Sequence, residues 1–385
     1  MKLIDLTWTL YRLPFRAAFR TAHGTLSHRS GAIVTIRTDS GHVGNGEVAP
    51  LPTQSGRSLD ETLNVLPGLA RELRGREVAA ILRFLETQNE RLPSALLCGL
   101  ETALLDAAGQ ADGQSIARLL TSGYPGEEKR LPTPLRAEVP VYALIGGETA
   151  ERTIERARAA LDAGYTSFKL KLTDPSDAEI ERVAAIRASF GSGPRLRLDA
   201  NESWNLSQAI RMLDRYAAYD IEYIEQPLPA SELDQMAWLR RHSPIPIAAD
   251  EALTGLASAQ RILDARAADL LILKPQLAGG LQACRQIIRE TSERGAACVI
   301  TSTLEAGIGV AAALHLAAAS PEITLPCGLA TLDLLEDDLL QEGLPVEQGH
   351  LRVPPGPGLG VELDKSTSFL SGNDTTGGSI AQTHT

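Results

Sequence analysis

From Val139 onward the chain repeats one unit, a short apolar run followed by an amphipathic stretch, at a period of about 25 residues. The apolar runs fall at 139–145, 167–172, 195–201, 221–227, 245–251, 270–275, 297–302 and 323–330. They are short enough for strands, and the stretches between them have helical spacing. Strand–helix alternation of this kind makes a parallel sheet flanked by helices. Eight units fit an α/β fold of the (β/α)8 TIM-like barrel type. An open doubly wound sheet is the alternative. It gathers its site at one crevice, whereas here charged residues end many consecutive strands, which suits the ring of a barrel mouth.

Before the repeat the pattern differs. Residues 6–10 and 33–37 alternate apolar and polar, and Asp39-Ser40-Gly41-His42 reads as a turn. Between 58 and 120, leucines recur at helical spacing, among them Leu59, Leu63 and Leu66, then Leu96, Leu97, Leu100 and Leu104. The expected organisation is an N-terminal α+β capping domain at 1–125 and a catalytic barrel at 135–330. A C-terminal return to the capping domain follows at 331–364. The tail at 365–385 is rich in Ser, Thr and Gly and is expected to be disordered. Two polar, small-residue stretches, 16–30 and 49–56, read as mobile surface loops, either plain connectors or carriers of binding residues.

Composition excludes some classes. A net charge of -11 disfavours nucleic acid as a partner, since phosphate binding needs a basic face. No apolar run reaches the roughly 18 residues of a membrane span, and the first residues lack a signal pattern, so a cytoplasmic protein without membrane contact is expected. Cys98, Cys284, Cys298 and Cys327 lie far apart with no CxxC pair, which points to buried free thiols. A homo-oligomer is compatible with the sequence.

The strand ends carry the chemistry of a barrel. Asp199 ends the run at 195–201, Glu225 follows 26 residues later, and Asp250 follows 25 after that. Three carboxylates on neighbouring strand ends offer hard oxygen ligands with positions left for water and a substrate oxygen. That donor set suits Mg²⁺, for which Mn²⁺ can substitute. A single acid at a strand end is more often a helix cap; three at near-equal spacing are not. Lys169 and Lys171 share one face of the second strand, and Lys274 ends the sixth. A lysine near a divalent cation and another lysine has a lowered pKa and can act as a base. The metal would bind a carboxylate oxygen of a small substrate and stabilise the enediolate left by loss of the α-proton. Arg197 shares a face with Asp199 one layer deeper, where it clamps a substrate carboxylate or pairs with an acid inside the barrel. Alternation aims Glu251 away from the mouth. Ser302 and Thr303 precede a glycine-rich helix start that can cradle an anion. None of the seven histidines ends a core strand.

The KxK at 169–171, the Asp199/Glu225/Asp250 set and Lys274 together resemble the enolase superfamily, muconate-lactonizing-enzyme subgroup, along nearly the whole chain. Within it, Arg197-Leu198-Asp199-Ala200-Asn201, Ser302-Thr303-Leu304-Glu305 and Gly328-Leu329-Ala330-Thr331 look most like o-succinylbenzoate synthases. The resemblance implies a dehydration that aromatises a cyclohexadiene carboxylate in menaquinone or phylloquinone biosynthesis. It implies Lys171 as the base, Lys274 as the cation facing the enediolate and Lys169 as an electrostatic aid. Asp199, Glu225 and Asp250 become Mg²⁺ ligands, and Asn201, Arg197, Ser302, Thr303 and Gly328 substrate contacts. Dipeptide epimerases of the superfamily carry an Asp-x-Asp on the eighth strand, where this chain has Cys327-Gly328-Leu329-Ala330. N-succinylamino acid racemases use the same two lysines and stay open as an alternative.

Overall fold

The computed structural model describes residues 1–21, 24–88, 91–123, 133–146 and 149–370. Seven parallel strands pair in chain order: Ala143–Ile145, Ser167–Lys171, Arg195–Asp199, Ile221–Glu225, Ile247–Ala249, Leu270–Leu273 and Ala297–Ile300. The eighth staves is only Cys327 and Gly328, which bridge Val141 on one side and Thr301 on the other. Backbone bonds from Tyr142 N–H to Cys327 O (3.0 Å) and from Gly328 N–H to Ile300 O (2.8 Å) close the ring.

Period-two geometry sorts the strand residues into two cores. Phe168, Leu170, Leu196, Leu198 and Ile224 face outward and pack under the helices. Tyr142, Tyr223, Ala248, Leu270, Ile272 and Val299 form a separate cluster. The latter shares alternation with Lys169, Arg197 and Asp199 and fills the lumen.

Two expectations about the barrel change. Of the run at 139–145, Val139 and Pro140 belong to the strand Glu138–Pro140, which pairs antiparallel with His350–Arg352, while Ala143–Ile145 pairs with the second barrel strand and Val141 makes the closing bridge to Cys327. Eight strand–helix pairs were expected, yet among the described residues no helix backs the eighth strand. Instead the chain crosses to the N-terminal body. Glu336 N–H bonds Pro14 O (3.0 Å), and Leu359 N–H bonds Asp106 Oδ1 (2.8 Å).

The N-terminal body is a meander of Leu3–Thr21, Gly24–Thr38 and Val43–Val48, covered by the helix Ser94–Asp112. Sheet and helix touch at backbone distance, because a Cβ on Gly46 would stand 1.9 Å from Gly99 O. Of the stretch 16–30, expected as a loop, residues 16–21 and 24–30 belong to the paired strands of the first hairpin, with Phe19 opposite Leu26. A register shift between Pro14 and Phe19 interrupts the alternation that would have revealed it. The stretch 49–56 holds one helical turn, Pro52–Ser55. Residues 365–370, expected as disordered tail, are held: Arg12 N–H bonds Phe369 O (3.3 Å), and Leu370 bridges Tyr11. Residues 371–385 lie outside the described residues.

Acids of the N-terminal body cap barrel helices across the interface. Glu101 accepts from the N–H groups of Leu281 and Gln282 (2.5 and 3.1 Å), at the start of the helix Leu281–Glu293. That helix has Gly280 as N-cap and no side-chain cap of its own. Glu47 accepts from Ala306 N–H and Gly309 N–H (both 2.8 Å) at the start of Gly307–Ala318, and from Tyr11 Oη–H (2.5 Å). A carboxylate at a helix N-terminus satisfies orphan donors and meets the positive end of the dipole. Gln276 completes the seam, bonding Glu47 O (2.8 Å) and Ala49 N–H (3.0 Å).

Burial raises Glu101 from its ordinary value to about 7, against the two backbone donors, which lower it. A raised native pKa means that this group's contribution is full below the ordinary carboxyl range and is lost as pH rises through about 7. Urea unfolding between pH 5 and pH 8 should therefore show wild-type stability falling with pH at up to about 1.4 kcal/mol per unit from this group. Glu101→Gln should flatten that fall. An unchanged slope in the variant would contradict the assignment.

Candidate active site

Strand register builds the site in two layers. Lys171 pairs with Asp199, and Asp199 with Glu225; one layer deeper, Lys169 pairs with Arg197, and Arg197 with Tyr223. Asp250 follows the strand Ile247–Ala249. Lys274 is the N-cap of the short helix Pro275–Ala278.

The charges are buried and paired. Lys169 Nζ lies 2.9 Å from Asp199 Oδ2 and 2.6 Å from Glu225 Oε1. Lys274 Nζ donates to Asp250 Oδ2 (2.7 Å) and Gln54 Oε1 (3.2 Å). It also lies 2.6 Å from Asp250 Oδ1, at an angle that leaves this oxygen without a hydrogen-bond donor. The side chains of Asp199, Glu225 and Asp250 are at most 4% exposed, so each would be untenable as an uncompensated anion.

Their electrostatics follow. Burial works against the Lys169 ammonium, but Asp199 and Glu225 outweigh it and raise its pKa well above the ordinary value. Lys274 is raised in the same way, burial being outweighed by Asp250 and Glu251. Burial and then Asp199 push Glu225 well above the usual range. Asp199 is lowered: burial opposes ionisation, and Lys169 and Lys171 more than offset it.

A cavity of about 120 Å³ opens above this set. Of the expected residues, Lys169, Lys171, Asp199, Asn201, Asp250, Lys274, Ser302, Thr303 and Gly328 line it. Glu225 lies beneath, reached through Lys169. Both N-terminal stretches also reach it, through Phe19 from the hairpin and Leu51, Thr53 and Gln54 from 49–56. The Lys171 ammonium stands 5.5 Å from the centroid of the Phe19 ring.

Two placements differ from expectation. Arg197 does not line the cavity. It is fully buried, donates to Glu222 Oε2 (2.6 Å) and Pro326 O (2.7 Å), and lies against the rings of Tyr142 and Tyr223 (5.0 and 5.1 Å). With the guanidinium so engaged, it is a lumen charge paired with an acid and not a substrate clamp. Glu251, expected to point away, lines the cavity and accepts from Asn201 Nδ2 (3.2 Å). The chain has left the strand after Ala249, so alternation no longer applies there. Burial and the neighbouring Asp250 raise Glu251 to about 8.

Sequence reasoning missed Tyr142, whose hydroxyl burial raises to about 12. A Cβ on Gly328 would stand 2.2 Å from that hydroxyl, so only glycine fits opposite it. The bulky residue at 142 facing a glycine at 328 is a signal that only the closure of the barrel makes readable. Thr331 was also missed as a wall residue; its hydroxyl meets that of Ser302 at 2.8 Å.

Among the described residues no cluster of three His, Cys, Asp or Glu stands in ion-ligating geometry. The donors nonetheless suit a hard divalent cation. All are carboxylate oxygens on adjacent strand ends, and Glu225 Oε2, Asp250 Oδ1 and Glu251 Oε2 are buried without hydrogen-bond partners.

Residues 4–121 match the family described as the mandelate racemase / muconate lactonizing enzyme N-terminal domain, and residues 152–367 match the enolase C-terminal domain-like family. The chain belongs to the enolase superfamily. It is 37% identical to an o-succinylbenzoate synthase of Thermobifida fusca (strain YX) over 62% of this chain and 73% of that one. It is 33% identical to an o-succinylbenzoate synthase of Desulfotalea psychrophila over 92% of this chain and 100% of that one. The structure of a dipeptide epimerase from Enterococcus faecalis V583, complexed with Mg and a dipeptide, superposes with a TM-score of 0.86 at 26% identity, covering 94% of this chain and 99% of that one. A muconate cycloisomerase and an N-succinyl-L-Arg/Lys racemase also align over most of the chain.

Arg197→Met tests the structural role of the buried guanidinium. It should cost about 3 kcal/mol in denaturant unfolding, because the Pro326 carbonyl loses its donor and Glu222 keeps only the exposed Arg195. The folded variant should keep its substrate KM within about threefold, whereas a clamp would lose far more.

Proposed function

We propose that this protein is an o-succinylbenzoate synthase, which dehydrates 2-succinyl-6-hydroxy-2,4-cyclohexadiene-1-carboxylate to 2-succinylbenzoate. The observation that carries the reading is the pair Lys171 and Lys274 lining one cavity with Asp199 and Asp250, with no acid at 327–331 to receive a substrate ammonium. The 37% and 33% identities to two o-succinylbenzoate synthases support it.

Asp199, Glu225 and Asp250 would hold Mg²⁺, or Mn²⁺ in its place; when bound it supplies positive charge to the substrate carboxylate. The protein's own groups do the rest. Lys171 Nζ, in its neutral form, takes the proton from the ring carbon that bears the carboxylate. The ammonium of Lys274, fixed by Asp250 and Gln54, faces the developing enediolate. Lys169, held between Asp199 and Glu225, adds positive charge below it. The electron pair then expels the neighbouring hydroxyl as hydroxide, to which Lys171 returns its proton. One water leaves and the ring becomes aromatic. Phe19, Leu51 and Leu144 give the cavity apolar walls suited to a ring.

Racemisation of N-succinylamino acids is the second reading. It is favoured by the same two lysines on one cavity, since one can take a proton and the other return it on the opposite face.

Purified protein with Mg²⁺ should convert the cyclohexadiene carboxylate to an aromatic product, followed by absorbance. Lys171→Ala and Lys274→Ala should each lower kcat by at least about 10²- to 10⁴-fold while circular dichroism stays unchanged. Wild-type rates in either variant would overturn the mechanism. Solvent deuterium entering N-succinylamino acids, with no dehydration of the diene, would move the assignment to the racemase. Calorimetric titration of Mg²⁺ should show binding that Asp199→Asn weakens by about tenfold or more.

A further inference from the structure

Outside the reacting set, one buried cation has no carboxylate among its hydrogen-bond acceptors. Arg29, on the strand Gly24–Thr38, is 3% exposed. Its Nε–H donates to Leu304 O (3.1 Å). Nη1 donates to Ser30 O (3.0 Å) and Pro50 O (2.8 Å), and Nη2 donates to Ala49 O. Its charge is balanced through space by Glu47 and Glu305, both buried. Glu47 is tied to Ala306 and Gly309, and Glu305 accepts from Thr303 N–H (2.6 Å).

These acceptors belong to three separate walls of the cavity. Ser30 lies on the hairpin whose far end presents Phe19. Ala49 and Pro50 begin the stretch that presents Leu51, Thr53 and Gln54. Leu304 closes the turn that presents Ser302 and Thr303, and it adopts a left-handed φ of 66°. The turn is held in this conformation in part by the carbonyl bond to Arg29. The reacting groups have other anchors: Lys169 is fixed by Asp199 and Glu225, and Lys274 by Asp250, with Gln54 of the 49–56 stretch as its second and longer contact. The guanidinium has five N–H donors in a rigid fork and here serves four carbonyls, whereas an ammonium has three donors clustered on one atom of a flexible stem.

We propose that Arg29 is a positioning residue that locks the hairpin, the 49–56 stretch and the 302–305 turn to one another, and so sets the fit to the part of the substrate remote from the reacting carbon. This rests on the reading that the cavity holds substrate. Loss of Arg29 therefore acts mainly on binding, since the ion pairs of Lys169 and Lys274 with their carboxylates do not run through it.

The test uses Arg29→Lys and Arg29→Met in the full chain with Mg²⁺, on whichever of the cyclohexadiene carboxylate and the N-succinylamino acid the wild type turns over. KM should rise by about tenfold or more, with kcat changed by less than about threefold. Amide hydrogen exchange should accelerate together in 24–30, 49–56 and 302–305 and stay unchanged in 195–199. Rescue should be poorer in the lysine variant than charge retention alone would give. An unchanged KM, a loss confined to kcat, or faster exchange in only one of the three segments would overturn the proposal. If the wild type turns over neither substrate, the function proposed above falls, and the exchange measurement alone decides Arg29.

Discussion

The structure is organised around the need to keep buried charge compensated. Asp199, Glu225, Asp250 and Glu251 meet Lys169, Lys171 and Lys274 at the mouth of a barrel. None of these carboxylates could stand alone at such burial, since an isolated buried anion costs far more than a fold can offset. Strand register supplies the answer. Pairing of Lys171 with Asp199 and of Asp199 with Glu225 brings the residues into one layer, and Lys169 reaches up from the layer below to touch two acids at once. In the same deeper layer as Lys169, Arg197 with Glu222, enclosed by two tyrosine rings, repeats the same solution. A cation and its acids thus accompany each other down the lumen, and hydrophobic residues fill the remainder.

The two bodies of the chain are joined by the same principle. Glu47 and Glu101 leave water to serve as caps for helices belonging to the other body. Each supplies acceptors that the barrel sequence does not provide at those helix starts. Because these caps are buried and tied to defined backbone groups, they fix the N-terminal body over the barrel mouth more specifically than apolar packing alone. The arrangement also divides labour. The barrel carries the charged groups able to move a proton, while Phe19, Leu51, Thr53 and Gln54 of the N-terminal body shape the space above them. The relatives that align with this chain carry the names of a synthase, a cycloisomerase, a racemase and an epimerase.

Most of the barrel was legible because period-two strands and 3.6-residue helices write themselves into hydrophobic pattern. The sequence determined that Lys171, Asp199 and Glu225 end strands, that Asp250 and Lys274 directly follow them, and that Lys169 shares the face of Lys171. It also determined that the N-terminal stretch precedes the repeat with a different rhythm. Tertiary structure alone decided what distant chemistry meets. Arg197 took Glu222 and a carbonyl 129 positions away as partners, so it became a lumen ion and not a clamp. Glu251 turned inward because the strand ends at Ala249. The eighth strand shrank to two residues and, among the described residues, no α-helix stands behind it, because the following segment packs on the other body. Residues 365–370 found order on Tyr11 and Arg12, far along the chain, whereas the first hairpin pairs locally and was hidden by the register shift between Pro14 and Phe19. Local pattern encodes which face a side chain takes, since that depends only on its neighbours in sequence. Long-range partners depend on closure of the ring and docking of the cap, which no window of sequence contains.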